Sequence, residues 1–76
     1  MKIKMNLLKT WAADENMTIQ EMAKEIVKEG CAHDFMTGWQ RQYNKLMNAD
    51  EDQDEIDAKC DKLLQEVEDA FIAQAA

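Results

Sequence analysis

Apolar residues recur every three or four positions over most of this chain, which is the period of an amphipathic helix. The clearest run consists of Ile19, Met22, Ala23, Ile26 and Val27. Thr18 and Glu21 begin it with the spacing of a capping box, in which each side chain bonds the backbone N–H group of the other residue. Gly30 stands where a glycine commonly ends a helix. We therefore predict a helix over residues 19–29.

Two further segments have the same period. Leu7, Leu8 and Trp11 predict a short helix over residues 6–13, which ends in a polar run. Residues 34–47 carry the apolar side chains Phe35, Trp39, Tyr43, Leu46 and Met47 along one helical face, and Asp34 is a candidate N-cap. Gly38 lies inside this segment and costs about 1 kcal/mol relative to alanine. We expect a close helix crossing or an imperfect helix at that glycine.

The last segment is the longest, and it follows a polar loop at residues 48–53. Its apolar face consists of Ile56, Cys60, Leu63, Leu64, Val67, Ala70 and Phe71. A helix over residues 54–74 would be about 30 Å long at about 1.5 Å per residue. The fold class that follows is all-α: one domain spanning residues 1–76, built as a compact three- or four-helix bundle with a long acidic C-terminal helix.

The net charge of −7 is distributed unevenly along the sequence. Up to Met47 the basic residues outnumber the acidic ones by one, whereas the remainder has ten acidic residues against Lys59 and Lys62. Such a surface repels phosphate backbones and attracts basic protein surfaces. No stretch approaches the roughly 20 apolar residues of a membrane span. We therefore expect this protein to bind a protein partner that has a basic surface. We expect it neither to bind nucleic acid directly nor to contact a membrane.

The acidic residues of the last helix are the candidate binding site. About 100° of rotation per residue places Asp54, Asp57, Asp61 and Glu68 in one narrow stripe beside the apolar face. Together with the preceding loop, the proposed partner-binding residues are Asp50, Asp52, Asp54, Asp57, Asp61, Glu66 and Glu68, each offering a carboxylate to an arginine or lysine. The alternative is a solvated helix face that only keeps a small protein soluble.

Large apolar side chains are a second set of candidate contacts. Trp11, Phe35, Met36 and Trp39 would act as anchors for a protein partner if they were exposed. Filling the core is the more common role of such residues. Phe35 and Met36 are adjacent, so a helix would turn one of them away from the apolar face.

We expect no cofactor and no metal site. Asp50, Asp52 and Asp54 alternate like the first ligands of an EF-hand, but Glu55 replaces the glycine at position six and Asp61 replaces the glutamate at position twelve.

Cys31, His33 and Cys60 provide only three zinc ligands, or four with Asp34, and Cys60 falls on the apolar face. We expect both cysteines to be free thiols. The chain has no serine, and its one histidine has no evident orienting partner. An enzyme is therefore not expected.

Residues 17–26, from Met17 to Ile26, resemble the first helix of helix-turn-helix DNA-binding domains. The resemblance implies that a recognition helix follows after a short turn and enters the major groove. Here the first helix continues to Glu29, and the next segment offers only Arg41 and Lys45 as cations. The acidic C-terminal part also disfavours duplex binding, which depends on neutralising phosphates.

Our hypothesis is a cytoplasmic, acidic protein-binding module that occupies a basic surface on a nucleic-acid-handling protein and so inhibits or regulates it. In size and charge the chain resembles small phage-encoded inhibitors of host defence or transcription, and its acidic stripe would then act as a nucleic-acid mimic. One alternative is a helix-turn-helix regulator that docks residues 18–47 on DNA. A further alternative is a scaffold subunit that forms a homodimer or larger homo-oligomer through an apolar face.

Overall fold

Four α-helices and one pair of two-residue strands make up the computed structural model, which describes residues 1–76. In chain order they are β1 (Lys2–Ile3), α1 (Met5–Asp14), α2 (Ile19–Lys28), a 3₁₀ turn (Ala32–Phe35), β2 (Met36–Thr37), α3 (Gln40–Met47) and α4 (Gln53–Ala75). The predicted all-α helical bundle is confirmed. The two strands pair antiparallel, with Lys2 opposite Thr37 and Ile3 opposite Met36. None of the four helices combines the length and the apolar character that a membrane span requires.

The predicted start and stop signals of α2 are both present. Thr18 Oγ1 accepts a hydrogen bond from the backbone N–H of Glu21 at 3.1 Å, and the Glu21 carboxylate accepts one from the N–H of Thr18 at 3.2 Å. At the other end, Gly30 has φ +74° and lets the N–H of Cys31 bond the carbonyl of Ile26 at 3.0 Å. This is a Schellman motif, and it satisfies carbonyls that the helix end would leave free.

The single helix predicted over residues 34–47 is wrong in its first half. Asp34 lies inside the 3₁₀ turn instead of capping a helix, Met36 belongs to β2, and α3 begins only at Gln40. The physical reason lies in Gly38, whose φ of +87° takes the backbone out of the right-handed helical region. Met36 also has a pairing partner in Ile3, far away in sequence, which a helical period cannot indicate.

The core lies between α1, α2, the 3₁₀ turn, β2 and the second half of α4. Its fully buried large side chains are Leu8, Met36, Val67 and Phe71. Gln74, near the end of α4, fixes the N-terminal strand to this core: its side chain accepts a bond from the N–H of Ile3 at 2.9 Å and donates one to the carbonyl of Met1 at 3.1 Å. The two ends of the described chain therefore lie side by side.

The remaining part, residues 40–62, extends the molecule beyond this core, and we call it the arm. It consists of α3, the loop at residues 48–52 and the first half of α4, and Ile56 is its only buried residue. Tyr43 and Leu46 of the arm are half-buried against the core. The arm makes the molecule long and narrow, with extents of 45 × 19 × 18 Å.

Candidate partner-binding surface

The first half of α4 presents most of the predicted acidic stripe to solvent. Asp54, Asp57 and Asp61 are exposed on the arm, where α3 is the helix packed against α4. Glu68 lies two turns further on, in the part of α4 that belongs to the core, and it is half-buried beside Gly30 and His33. The stripe therefore consists of three free carboxylates on the arm and one partly covered carboxylate at the core.

The carboxylates of the stripe have no cationic partner within the molecule. The structure contains one ion pair within 4 Å, Lys59–Glu51, and one histidine–carboxylate contact, His33–Asp34, and neither includes a stripe residue. Asp57 accepts one neutral hydrogen bond, from the side-chain amide of Gln53 at 2.8 Å. The three exposed carboxylates of the arm, which lack an internal cation, remain available to cations on another molecule.

The acidic loop before α4 is partly held by an internal cation. Lys59 Nζ lies 2.6 and 2.8 Å from the two carboxylate oxygens of Glu51. This hydrogen bond raises the pKa of Lys59, and the nearby charges of Glu51 and Glu55 act in the same direction. Asp50 and Asp52 are exposed and belong to no ion pair, and Asp52 precedes α4 as its N-cap without a side-chain capping bond.

Glu66, one of the proposed contact residues, lies outside the stripe. It lines a cleft between α3 and α4 together with Lys45, Lys59 and Lys62. Its position follows from the helical rotation, since Glu66 stands about 160° from Glu68 around the axis of α4. The structure thus groups Asp54, Asp57, Asp61 and Glu68 on one side of α4 and places Glu66 among lysines on another.

The four candidate apolar anchors have different surroundings. Phe35 and Met36 are buried in the core and are not exposed anchors, because the 3₁₀ turn and β2 direct both side chains inward. Trp39 is half-buried, and its indole N–H donates to the carbonyls of His33 and Met36 at 3.1 and 3.2 Å. These hydrogen bonds stabilise the segment before α3. Trp11 alone is exposed, with 50% of its surface accessible.

Sequence reasoning missed a groove around Trp11. It lies between α1, α2 and the 3₁₀ turn and has a volume of about 240 Å³. Its apolar floor includes Leu7, Trp11 and Phe35, and its edge carries the carboxylates Glu25, Glu29 and Asp34. The four-residue spacing of Glu25 and Glu29 was visible in the sequence, but Asp34 joins them only because the chain turns after Gly30. We call this site the acidic-rimmed groove.

The geometry provides little for metal binding and departs from the helix-turn-helix pattern. No three His, Cys, Asp or Glu side chains come close enough together to hold a metal ion. Cys31 and Cys60 are both free and half-buried. Residues 29–39 separate α2 from α3 and contain the 3₁₀ turn and β2, so no recognition helix follows α2 after a short turn.

The chain matches no protein-family model, no curated protein and no solved structure.

Proposed function

We propose that this protein is an acidic binding module that occupies the basic, nucleic-acid-handling surface of another protein and thereby inhibits or regulates it. The observation that carries the proposal is the row of exposed carboxylates Asp54, Asp57 and Asp61 on the arm, none of them paired with a cation. The molecule is long and narrow, with extents of 45 × 19 × 18 Å, so it can enter a cleft that a rounder protein of this size would not enter.

The spacing of these carboxylates suits a surface built for nucleic acid. Residues three and four apart on a helix have Cβ atoms about 5–6 Å apart. This is close to the separation of successive phosphates along a strand, so arginines and lysines arranged for phosphates could meet these carboxylates instead. We propose a cytoplasmic location for this activity, because the free thiols of Cys31 and Cys60 are typical of a reducing compartment.

Stable binding requires several ion pairs between these carboxylates and the partner at the same time. One exposed ion pair contributes roughly 0.2–1 kcal/mol, so a single carboxylate does not hold a partner. The acidic field also attracts a basic partner over distance, which mainly raises the association rate and makes binding dependent on salt. We therefore expect the association rate to fall steeply when the ionic strength is raised.

The test is a pull-down that compares two charge-matched variants with the native protein. The stripe variant carries Asp54→Asn, Asp57→Asn and Asp61→Asn. The control variant carries Asp14→Asn, Glu15→Gln and Asp69→Asn, which removes the same charge from exposed positions elsewhere. Circular dichroism first establishes that both variants remain helical.

We expect the native protein and the control variant to capture a nucleic-acid-binding protein, identified by mass spectrometry, and the stripe variant to lose it. Added duplex DNA or RNA should release the captured protein, because both ligands would occupy one surface. Capture by all three proteins, or capture that nucleic acid leaves unchanged, would contradict the proposal.

A further inference from the structure

Trp11 is exposed although it has an aromatic partner. Its ring meets that of Phe35 edge to face, with centroids 5.5 Å apart and an interplanar angle of 85°. Half of the Trp11 surface and 38% of the Leu7 surface remain accessible to water. The packing against Phe35 restrains the indole, so a ligand that covers it loses less side-chain entropy than with a freely moving side chain.

The rim of this groove is acidic, and no basic side chain contributes to its lining. Glu25 and Glu29 form no ion pair. The contact of Asp34 is with the neighbouring histidine: the Nε2 of His33 lies 3.4 Å from the Asp34 Oδ1. An apolar floor bordered by three acidic residues complements a segment that carries one apolar side chain between arginines or lysines. A neutral or acidic segment would leave these carboxylates without partners.

The size of the groove also indicates its occupant. A volume of about 240 Å³ is below the range of about 300–1,000 Å³ that is usual for small-molecule sites. It has room for one or two side chains rather than for a drug-sized ligand. A peptide segment that inserts one anchor side chain fits this volume, since such anchors in small pockets dominate the affinity of many interfaces.

The groove and the stripe lie on two sides of one short segment. Cys31 and Asp34 line the groove, whereas Gly30 and His33 of the same segment lie beside Glu68 of the stripe. A basic partner that contacts the stripe is therefore brought close to the groove.

We infer that the acidic-rimmed groove is a docking site for a basic peptide segment, which seats an aliphatic or aromatic side chain on Trp11 and places arginines or lysines against Glu25, Glu29 and Asp34. The inference rests on the proposed function in that the partner is a basic protein. It adds a second contact surface that gives the binding an apolar component as well as a charged one.

The first test uses two synthetic peptides of equal charge and follows ¹⁵N-labelled protein by NMR. The anchor peptide is Gly-Arg-Arg-Leu-Phe-Arg-Arg-Gly, and the control peptide is Gly-Arg-Arg-Ser-Gly-Arg-Arg-Gly. We expect the anchor peptide to shift the indole N–H signal of Trp11 and leave that of Trp39, which is bonded to two carbonyls, in place. The control peptide should bind at least about tenfold more weakly, because it buries no apolar side chain.

The second test separates the groove from the stripe. The groove variant carries Glu25→Gln, Glu29→Gln and Asp34→Asn, and the stripe variant defined above serves as its control, since each raises the net charge of −7 by three units. We expect the groove variant to weaken the anchor peptide about three- to tenfold at low salt and the stripe variant to change it less than about twofold.

Three results would overturn the inference: an unmoved Trp11 indole signal, equal affinity for the two peptides, or equal weakening by the two variants. The last result would mean that the peptide responds only to net charge. The proposed function fails independently, when the pull-down shows no dependence on the stripe. A groove that binds the anchor peptide would then remain a peptide site on a protein of another function.

Discussion

Asn16 and Gly30 occupy equivalent positions at the ends of α1 and α2. Asn16 has φ 58° and Gly30 has φ 74°, both in the left-handed region. At Asn16, the N–H of Met17 bonds the carbonyl of Ala12 at 2.8 Å, the same six-residue bond that Cys31 forms with Ile26. Because side chains disfavour this conformation, asparagine holds it at a cost that glycine does not have.

Substitutions at these two positions should change the stability of the protein in opposite directions. We expect Asn16→Gly to raise the free energy of unfolding by up to about 1 kcal/mol and Gly30→Ala to lower it by about 1 kcal/mol. A Cβ at Gly30 meets nothing within 4 Å, so the loss reflects the backbone conformation alone. Urea denaturation measures both changes, and destabilisation by Asn16→Gly would contradict the reasoning.

Glu21 makes the stability of α2 dependent on pH. The hydrogen bond from the backbone N–H of Thr18 lowers the pKa of this carboxyl below its ordinary value of 4.5, and the Thr18 side chain acts in the same direction. A carboxyl with a lowered pKa stabilises the folded state above the pKa of the unfolded chain and loses that contribution as the pH falls through the folded value.

We therefore expect Glu21→Gln to be less stable than the native protein at pH 7 and the difference to shrink below pH 4.5. Thermal unfolding between pH 3 and pH 7 provides the measurement. Glu25→Gln, one turn further along and outside the capping box, is the control. A difference between native and Glu21→Gln protein that stays constant over this range would show that the capping carboxylate is not responsible.

At the scale of elements, the arm is the least densely packed part of the fold. Ile56 is its only buried residue, and α3 has none. Segments with few buried apolar contacts open locally at a lower free energy than the core. We expect the amides of residues 40–62 to exchange hydrogen at least about tenfold faster than those of residues 63–75. The two rates should differ even within α4, whose first half belongs to the arm and whose second half belongs to the core.

Hydrogen exchange followed by NMR or mass spectrometry tests this difference. Ile56→Ala should accelerate exchange in the arm further and leave residues 63–75 unchanged. Phe71→Ala, at a fully buried core position, should lower global stability by about 3–5 kcal/mol and accelerate exchange everywhere. Uniform protection along the whole of α4 would mean that the arm opens only together with the core.

The elements that the sequence predicted well are those defined by local signals. The capping box and Gly30 bound α2, and the long apolar period defines α4, which runs from Gln53 to Ala75. The segment around Gly38 was not predictable in this way, because Phe35 and Trp39 keep a helical spacing while Met36 pairs with Ile3. Spacing along the chain does not report a partner that is distant in sequence.

The same distinction applies to the candidate site. The position of the stripe on one side of α4 follows from helical rotation, and so does the separation of Glu66 from it. The absence of cations around the stripe depends on where α3 and the 3₁₀ turn pack, which the pattern does not contain. The acidic-rimmed groove combines three elements, so only the folded chain brings Trp11 together with Asp34.

At the scale of the whole molecule, the shape differs from that of a compact domain. The radius of gyration of 13.9 Å exceeds the value of about 11 Å expected for a compact chain of 76 residues. α4 has 23 residues and is about 34 Å long, which accounts for most of the 45 Å extent. Small-angle scattering would report this elongation directly.

Net charge makes the folded state sensitive to salt. The chain has 16 acidic residues against nine lysines and arginines, and only one of these cations, Lys59, forms an ion pair within 4 Å, so repulsion between carboxylates outweighs internal attraction. We expect the unfolding temperature to rise when the sodium chloride concentration increases from 10 to 150 mM, because screening reduces that repulsion. Calorimetry at constant pH measures the change, and a lower unfolding temperature in salt would refute this account.

The contact between Gln74 and the N-terminal strand has a consequence for synthesis on the ribosome. The chain emerges from its N-terminus, so α1 and α2 can pair early, as neighbouring helices do. β1 cannot pair until β2 has been made. The hydrogen bonds between Gln74 and the backbone groups of Met1 and Ile3 cannot form until α4 is complete. Leu8 and Met36 belong to the same buried cluster as Val67 and Phe71, so this cluster stays incomplete until α4 has been made. The nascent chain therefore carries an open apolar surface until α4 has been made, and its core closes only after that helix has emerged.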